Sequence, residues 1–168
     1  EAEKIESQGG SLRCQISNNK KFKIGKSVSK ILNIELKNHL FSKKKLSSFA
    51  KEINSHKNHL YSFLSTLKKR GKRISIYGAS GKGQALMQYC KINNKLIDHV
   101  FDKSKLKINK YTPGTNIKIL HPKSISKNKI DYILLLTWNL KKEILKQEKD
   151  FVKRGGKIIV PFPLPHTV

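Results

Sequence analysis

Residues 77–83 read YGASGKG. The β-type run RISIY (73–77) leads into this cluster, and QALMQYCK (84–91) follows with helical spacing, so the stretch predicts a strand, a glycine turn and a helix. Three glycines and a lysine at the end of a strand suit an anion, because backbone N–H groups without a Cβ nearby can approach it closely. The spacing Gly78-x-x-Gly81-x-Gly83 is not the Gly-x-Gly-x-x-Gly of the dinucleotide fingerprint. It is not a phosphate-binding P-loop either, since Lys82 is followed by glycine, and the GKS at Gly25 lacks the upstream glycine. Asp102 ends the next predicted strand, about 20 residues beyond the loop, where an acid would meet a ribose hydroxyl. A purely structural tight turn would use the same glycines. Local pattern alone leaves a nucleotide site and a plain turn both open.

Outward from the loop, short apolar runs alternate with helical stretches. LIDHVF (96–101), IKIL (117–120), DYILLLTW (131–138) and KIIVPFP (157–163) read as strands, and the third is apolar enough to be buried on both faces. Residues 140–156 read as one amphipathic helix ending on a glycine pair. This alternation predicts an α/β domain: a Rossmann-like, doubly wound, mostly parallel sheet with flanking helices. A long amphipathic helix precedes it, from Ser42 to Arg70, with Leu46, Phe49, Ile53, Leu60, Phe63 and Leu67 on one stripe. A shorter helix is expected over 27–37. The expected organisation is a leading segment 1–24 containing QGGSLR (8–13) and the polar ISNNKKFK, a helical arm 25–71, and a nucleotide-binding domain 72–168. His56 and His59 lie on the long helix and read as exposed polar residues rather than metal ligands, because a third partner is missing.

The formal net charge is +25, with Lys and Arg totalling 36, only four of them arginine. Such a charge suggests nucleic acid. The lysines are scattered, however, and arginine, which reads guanine bidentately, is nearly absent. Abundant lysine, isoleucine and asparagine together are what AT-rich codons produce, so no specific nucleic-acid partner is expected. No apolar run approaches the roughly 20 residues of a membrane span. Two cysteines, Cys14 and Cys90, make neither a disulfide framework nor a zinc set. The expected location is cytoplasmic, without membrane contact and without metal. Because the sequence opens EAEKIESQGG rather than with Met, it is expected to begin partway through a longer polypeptide.

Five motifs occur in one order: QGGSLR (8–13), YGASGKG (77–83), FDKSKLKINKYTPGTNIKI (101–119), DYILLLTWNLKKEIL (131–145) and RGGKIIVPFP (154–163). Together they resemble the C-terminal domain of the sugar C-methyltransferase family, over essentially the whole chain. The resemblance implies a part of an S-adenosylmethionine-dependent enzyme that methylates a carbon of a nucleotide-linked deoxysugar. Such enzymes carry two further domains, a cysteine-liganded zinc domain and a methyl-donor domain. Neither a cysteine quartet nor an acidic methyl-donor glycine motif is present here, so S-adenosylmethionine is expected on an upstream domain and no cofactor on this chain.

What the resemblance implies for individual residues follows their physical type. The family usually has histidine before the glycine pair, near the sugar and suited to general base. Here that position is Gln8, an amide that orients a proton but cannot take it. Glu6 is the neighbouring carboxylate that could substitute, or simply a solvated one. Gly9, Gly10 and Ser11 would form a tight turn of backbone donors, and Arg13 is either an anion clamp or a strand-edge charge. Gly78, Ala79, Ser80, Gly81, Lys82 and Gly83 would sit against the nucleotide's diphosphate, with Asp102 on the ribose. Tyr111, Thr112, Pro113 and Gly114 would make a stiff turn walling the pocket, or a turn with no other role. Trp138 and Asn139 end the buried strand on the ligand-binding edge, or serve as a core Trp and a capping Asn. The alternative to a methyltransferase domain is a free-standing nucleotide- or CoA-binding module; a nucleic-acid-associated protein ranks behind both.

Overall fold

A computed structural model describes residues 1–18 and 21–168; Asn19 and Lys20, within the polar stretch 16–23, lie outside the described residues. The chain divides into two compact units, Glu1–Ile53 and Asn54–Val168.

In the first unit β1 (Ala2–Ile5) and β2 (Ser11–Cys14) pair antiparallel, with Ile5 opposite Ser11 and Ala2 opposite Cys14. The sequence signals the turn between them but not the strands, because AEKI and SLRC are four-residue runs without clear alternation. Helix α1 (Lys26–Lys37) packs beside β1, and the Ala2 N–H donates to Ser27 Oγ at 3.1 Å. Helix α2 (Lys43–Lys69) begins in this unit and contains the division point.

The second unit is a mixed α/β structure built on a six-stranded, mostly parallel sheet with flanking helices. In chain order its elements are β3 (Ile74–Tyr77), α3 (Gly81–Tyr89), β4 (Val100–Phe101), β5 (Ile119–Leu120), β6 (Tyr132–Leu135), α4 (Lys141–Gln147), α5 (Lys149–Lys153), β7 (Lys157–Val160) and β8 (His166–Thr167). Across the sheet they lie β5-β4-β3-β6-β7-β8, all parallel except β8. The order reverses between β3 and β6.

Strand periodicity sorts the core onto two faces. Ile74 and Ile76, Val100, Leu134 and Ile159 point to one side, joined by Leu60, Leu64 and Leu67 of α2 and by Met87 of α3. Tyr77, Phe101, Ile133, Leu135 and Ile158 point to the other, joined by Ile144 of α4, Phe151 of α5 and Ile125. That is the two-residue alternation of a sheet covered on both sides.

Several sequence expectations need correction. The strand expected over 96–101 is a ladder of two residues: Leu96 and Ile97 are taken up by a turn on Asn93 O, while Asp98 and His99 still bond to β3 ahead of the paired Val100 and Phe101. The helix expected over 140–156 is two short ones, broken at Glu148, whose ψ of 23° leaves the helical region. Of the expected stripe on α2, Leu60 and Leu67 are buried while Leu46, Phe49 and Ile53 are exposed. His56 is not an exposed polar residue: its ring is half-buried, stacked on Phe162. Among the described residues no helix is long and apolar enough to cross a membrane.

Candidate functional site

The turn after β3 is held from three directions. Its first link is the sheet itself, with the Gly78 N–H donating to Phe101 O at 2.7 Å. Next, the Ala79 N–H donates to Asp102 Oδ2 at 2.8 Å. Finally, Ser80 caps α3, its Oγ accepting from the Gly83 N–H at 3.1 Å. Asp102 is saturated further by the Ser104 N–H at 2.8 Å and by Lys107 Nζ at 3.2 Å, while Lys107 also donates to Ala79 O at 2.9 Å. Of about four acceptor positions on the carboxylate, three are taken by its own neighbourhood. Asp102 therefore holds the loop, and one lone-pair direction remains for a hydroxyl.

The three glycines differ in what demands them. Gly78 has φ +99°, and a Cβ there would lie 2.6 Å from Thr137 Cγ2. A Cβ at Gly83 would lie 2.8 Å from Leu136 Cβ. Both are needed so that the segment leaving β6 can pass over the turn leaving β3. Gly81 is different. A Cβ on it meets nothing within 4 Å, and nothing in the packing requires glycine there. Gly81 and the exposed Lys82 start α3 on the open side of the turn. Thr137 Oγ1 and both amide atoms of Gln84 are buried near this turn without a partner among the described residues, a costly state for polar atoms.

Leu136, Thr137 and Trp138 thus run along the loop, at the carboxyl edge of the sheet and at the point where strand order reverses. Trp138 is half-buried in a 3₁₀ turn, while Asn139 is exposed. Sequence reasoning missed what supports the tryptophan. The Phe162 ring meets it edge-on at 4.8 Å, and the His56 ring stacks on Phe162 at 4.4 Å and 8°. His56 Nε2 is 2.6 Å from Pro161 O. The only sequence signal for this cluster is a single aromatic residue, Phe162, between two prolines.

On the opposite face, β3 ends in Tyr77, whose hydroxyl lies 3.4 Å from Gln147 Oε1 and bonds with Glu148. Burial, then the Glu148 charge, pushes the Tyr77 phenol well above its ordinary value. Burial also raises Glu148, against the lowering by the Tyr77 hydrogen bond and by Lys103. Thr112 is turned inward: its Oγ1 contacts Thr115 Oγ1 at 2.6 Å and accepts from the Ile117 N–H at 2.9 Å. Gly114 takes the positive φ (+70°) that the turn reading required, 3.5 Å from Gln88 Nε2 as measured from an added Cβ. Pro113 and Tyr111 lie on the exposed side of this turn.

The QGGSLR residues form a second group, in the first unit, as the connection between β1 and β2. Gln8 (φ 56°), Gly9 (φ 84°) and Gly10 (φ 114°) are three successive left-handed residues. The Gly10 N–H and Ser11 Oγ both donate to Ser7 O, each at 2.9 Å. Arg13 pairs across the hairpin with Glu3, its Nε 2.6 Å from Oε1. Glu6 is exposed and enters the turn without capping it.

The fold and the turn define an α/β domain with a glycine turn at the edge where its parallel strands end. The chain belongs to the C-methyltransferase C-terminal domain family, which matches residues 6–163. The resemblance carried by the five motifs holds. It is also similar to the C-methyltransferase NovU of Streptomyces niveus, 40% identical over 98 residues, which are 58% of this chain. Those residues span 23% of that protein's length.

Proposed function

We propose that the chain is the substrate-binding domain of an S-adenosylmethionine-dependent C-methyltransferase and grips the nucleotide end of a nucleotide-linked deoxysugar at loop 78–83. One observation carries the reading. Gly78 and Gly83 are consumed by packing, whereas Gly81 is not, so bare backbone at Gly81 is left for something that must come close. The strand order supports it: counted from β3 it is 3-2-1-4-5-6, with the last strand antiparallel, and open α/β sheets bind ligands where the order reverses. Carbon methylation needs the nucleophilic carbon held in line with the donor methyl, and a rigid grip on the distant nucleotide supplies orientation.

This chain's own residues do not fit S-adenosylmethionine. Lysines at 82, 103 and 105 lie in and beyond the loop, while Lys107 is paired with Asp102, a setting suited to a diphosphate and opposed to a sulfonium cation. The methyl donor is assigned to another part of the polypeptide, as are zinc-binding cysteines.

Calorimetry on the 168-residue chain tests the reading. Inorganic pyrophosphate and nucleoside diphosphates should bind, and S-adenosylmethionine should give no heat. Gly81→Val should abolish diphosphate binding with the thermal midpoint nearly unchanged; intact affinity in a folded variant would reduce the loop to a turn. In the intact enzyme, Gln8→His should change the methylation rate little and Gln8→Ala should slow it modestly. A gain of roughly 10²–10⁴ on adding histidine would instead mark Gln8 as a lost base.

A further inference from the structure

The aromatic cluster beside the loop has no part in the anion grip, yet it joins three rings from distant parts of the chain. Leu136 lies against Gly83, and Thr137 lies against Gly78. The next residue in the chain, Trp138, therefore follows directly on the segment that crosses the loop. Its indole is only half-buried and is braced by the Phe162 ring. Phe162 is in turn fixed on its flat side by His56, which is anchored by its contact with Pro161 O. Three segments distant in sequence, from α2, from the end of β6 and from the end of β7, converge to set one ring.

We infer that Trp138 is the stacking platform for the nucleobase of the bound nucleoside diphosphate, and that His56, acting through Phe162, is a positioning residue that sets the angle of that platform. This rests on the proposed grip of loop 78–83 on the diphosphate. The chemistry is that of a flat, neutral π-system. A pyrimidine or purine presents the same kind of face, and stacking tolerates any base. An aromatic ring held by neighbours loses little freedom when a base settles on it, so preorganisation favours binding. A solvated lysine surface contributes to the phosphates and nothing to the base, leaving base affinity to the tryptophan.

The test uses the 168-residue chain with two probes, uridine diphosphate and inorganic pyrophosphate, followed by calorimetry and by the emission of Trp138, the one tryptophan in the sequence. Both probes should bind, but only the nucleoside diphosphate should shift the emission and protect the indole from acrylamide quenching. It should also bind about tenfold or more tighter than pyrophosphate, the range of one base–aromatic stack. Trp138→Leu should erase that advantage and leave pyrophosphate affinity in place, and Trp138→Phe should restore part of it. His56→Ala should cut the advantage severalfold without touching pyrophosphate binding, and His56→Phe, which keeps a ring on Phe162, should recover it. Pyrophosphate binding without any nucleoside advantage, or a wild-type tryptophan that stays open to acrylamide with uridine diphosphate bound, overturns the inference while the loop grip stands. If neither probe binds, the grip itself is wrong and the platform falls with it. The quenching measurement needs no variant, so a Trp138 substitution that fails to fold leaves the question decidable.

Discussion

Glu148 is a carboxylate placed where a carboxylate is expensive. It is half-buried at the break between α4 and α5, and burial raises it above its ordinary value of 4.5. A raised acid binds its proton more tightly in the folded chain than in the unfolded one. Its stabilising contribution is therefore complete below the unfolded value and is lost as pH climbs through the folded one. Glu148→Gln keeps an acceptor for the Tyr77 hydroxyl and removes the charge. The variant should melt at a higher temperature than wild type at neutral pH, with the gap closing as pH falls toward about 4.5 and no further change below it. Thermal midpoints measured from pH 4 to 8 decide it, and a gap independent of pH would mean that the charge is not the cause. Burial and the Glu148 charge also act against ionisation of the Tyr77 phenol.

At the scale of elements, α3 carries its own experiment. Ser80 both caps the helix, through the Gly83 N–H, and lies 3.4 Å from Leu136 O. Ser80→Ala should cost about 1 kcal/mol of stability, the usual loss of an N-cap. Ser80→Asp keeps a good cap and adds a negative charge at the helix start, which favours the helix but repels a phosphate. Stability should survive in the aspartate variant while pyrophosphate binding falls at least tenfold; binding that persists would move the anion away from α3. What the sequence discloses also differs by element. The core strands around β3 and β6 and the glycine turn are legible because apolar runs end abruptly at glycine or at Thr137-Trp138. The β1–β2 hairpin is hidden, since Glu3, Lys4 and Arg13 put charges where alternation would show. The break at Glu148 is hidden because LKKEILKQEKDFVK keeps a helical apolar spacing through it, and only burial of the carboxylate beside Tyr77 marks the place. His56 is hidden for another reason: its partner Phe162 lies over a hundred residues away, and no local pattern encodes that stack.

At the scale of the molecule, the net charge of +25 is spread over both units, and the described ion pairs are few. Surface pairs of this kind each contribute little, so the apolar faces of the sheet must supply the cohesion of the second unit. Those faces are unequal. On one side α2 and α3 cover a broad layer of isoleucines and leucines, reaching from Leu60 to Ile159. On the other, two short helices cover a smaller group around Phe101 and Phe151, with the break at Glu148 between them. Amide hydrogen exchange should therefore be asymmetric. The amides of α4 and α5 should exchange first, in a sub-global opening well below the free energy of complete unfolding, while those of β3 and β6 should be the last to yield. The side that opens early also carries the chain away from Trp138, so the edge beside the glycine turn would loosen before the layer beneath it, and a ligand held there should slow exchange in α4 more than in α2.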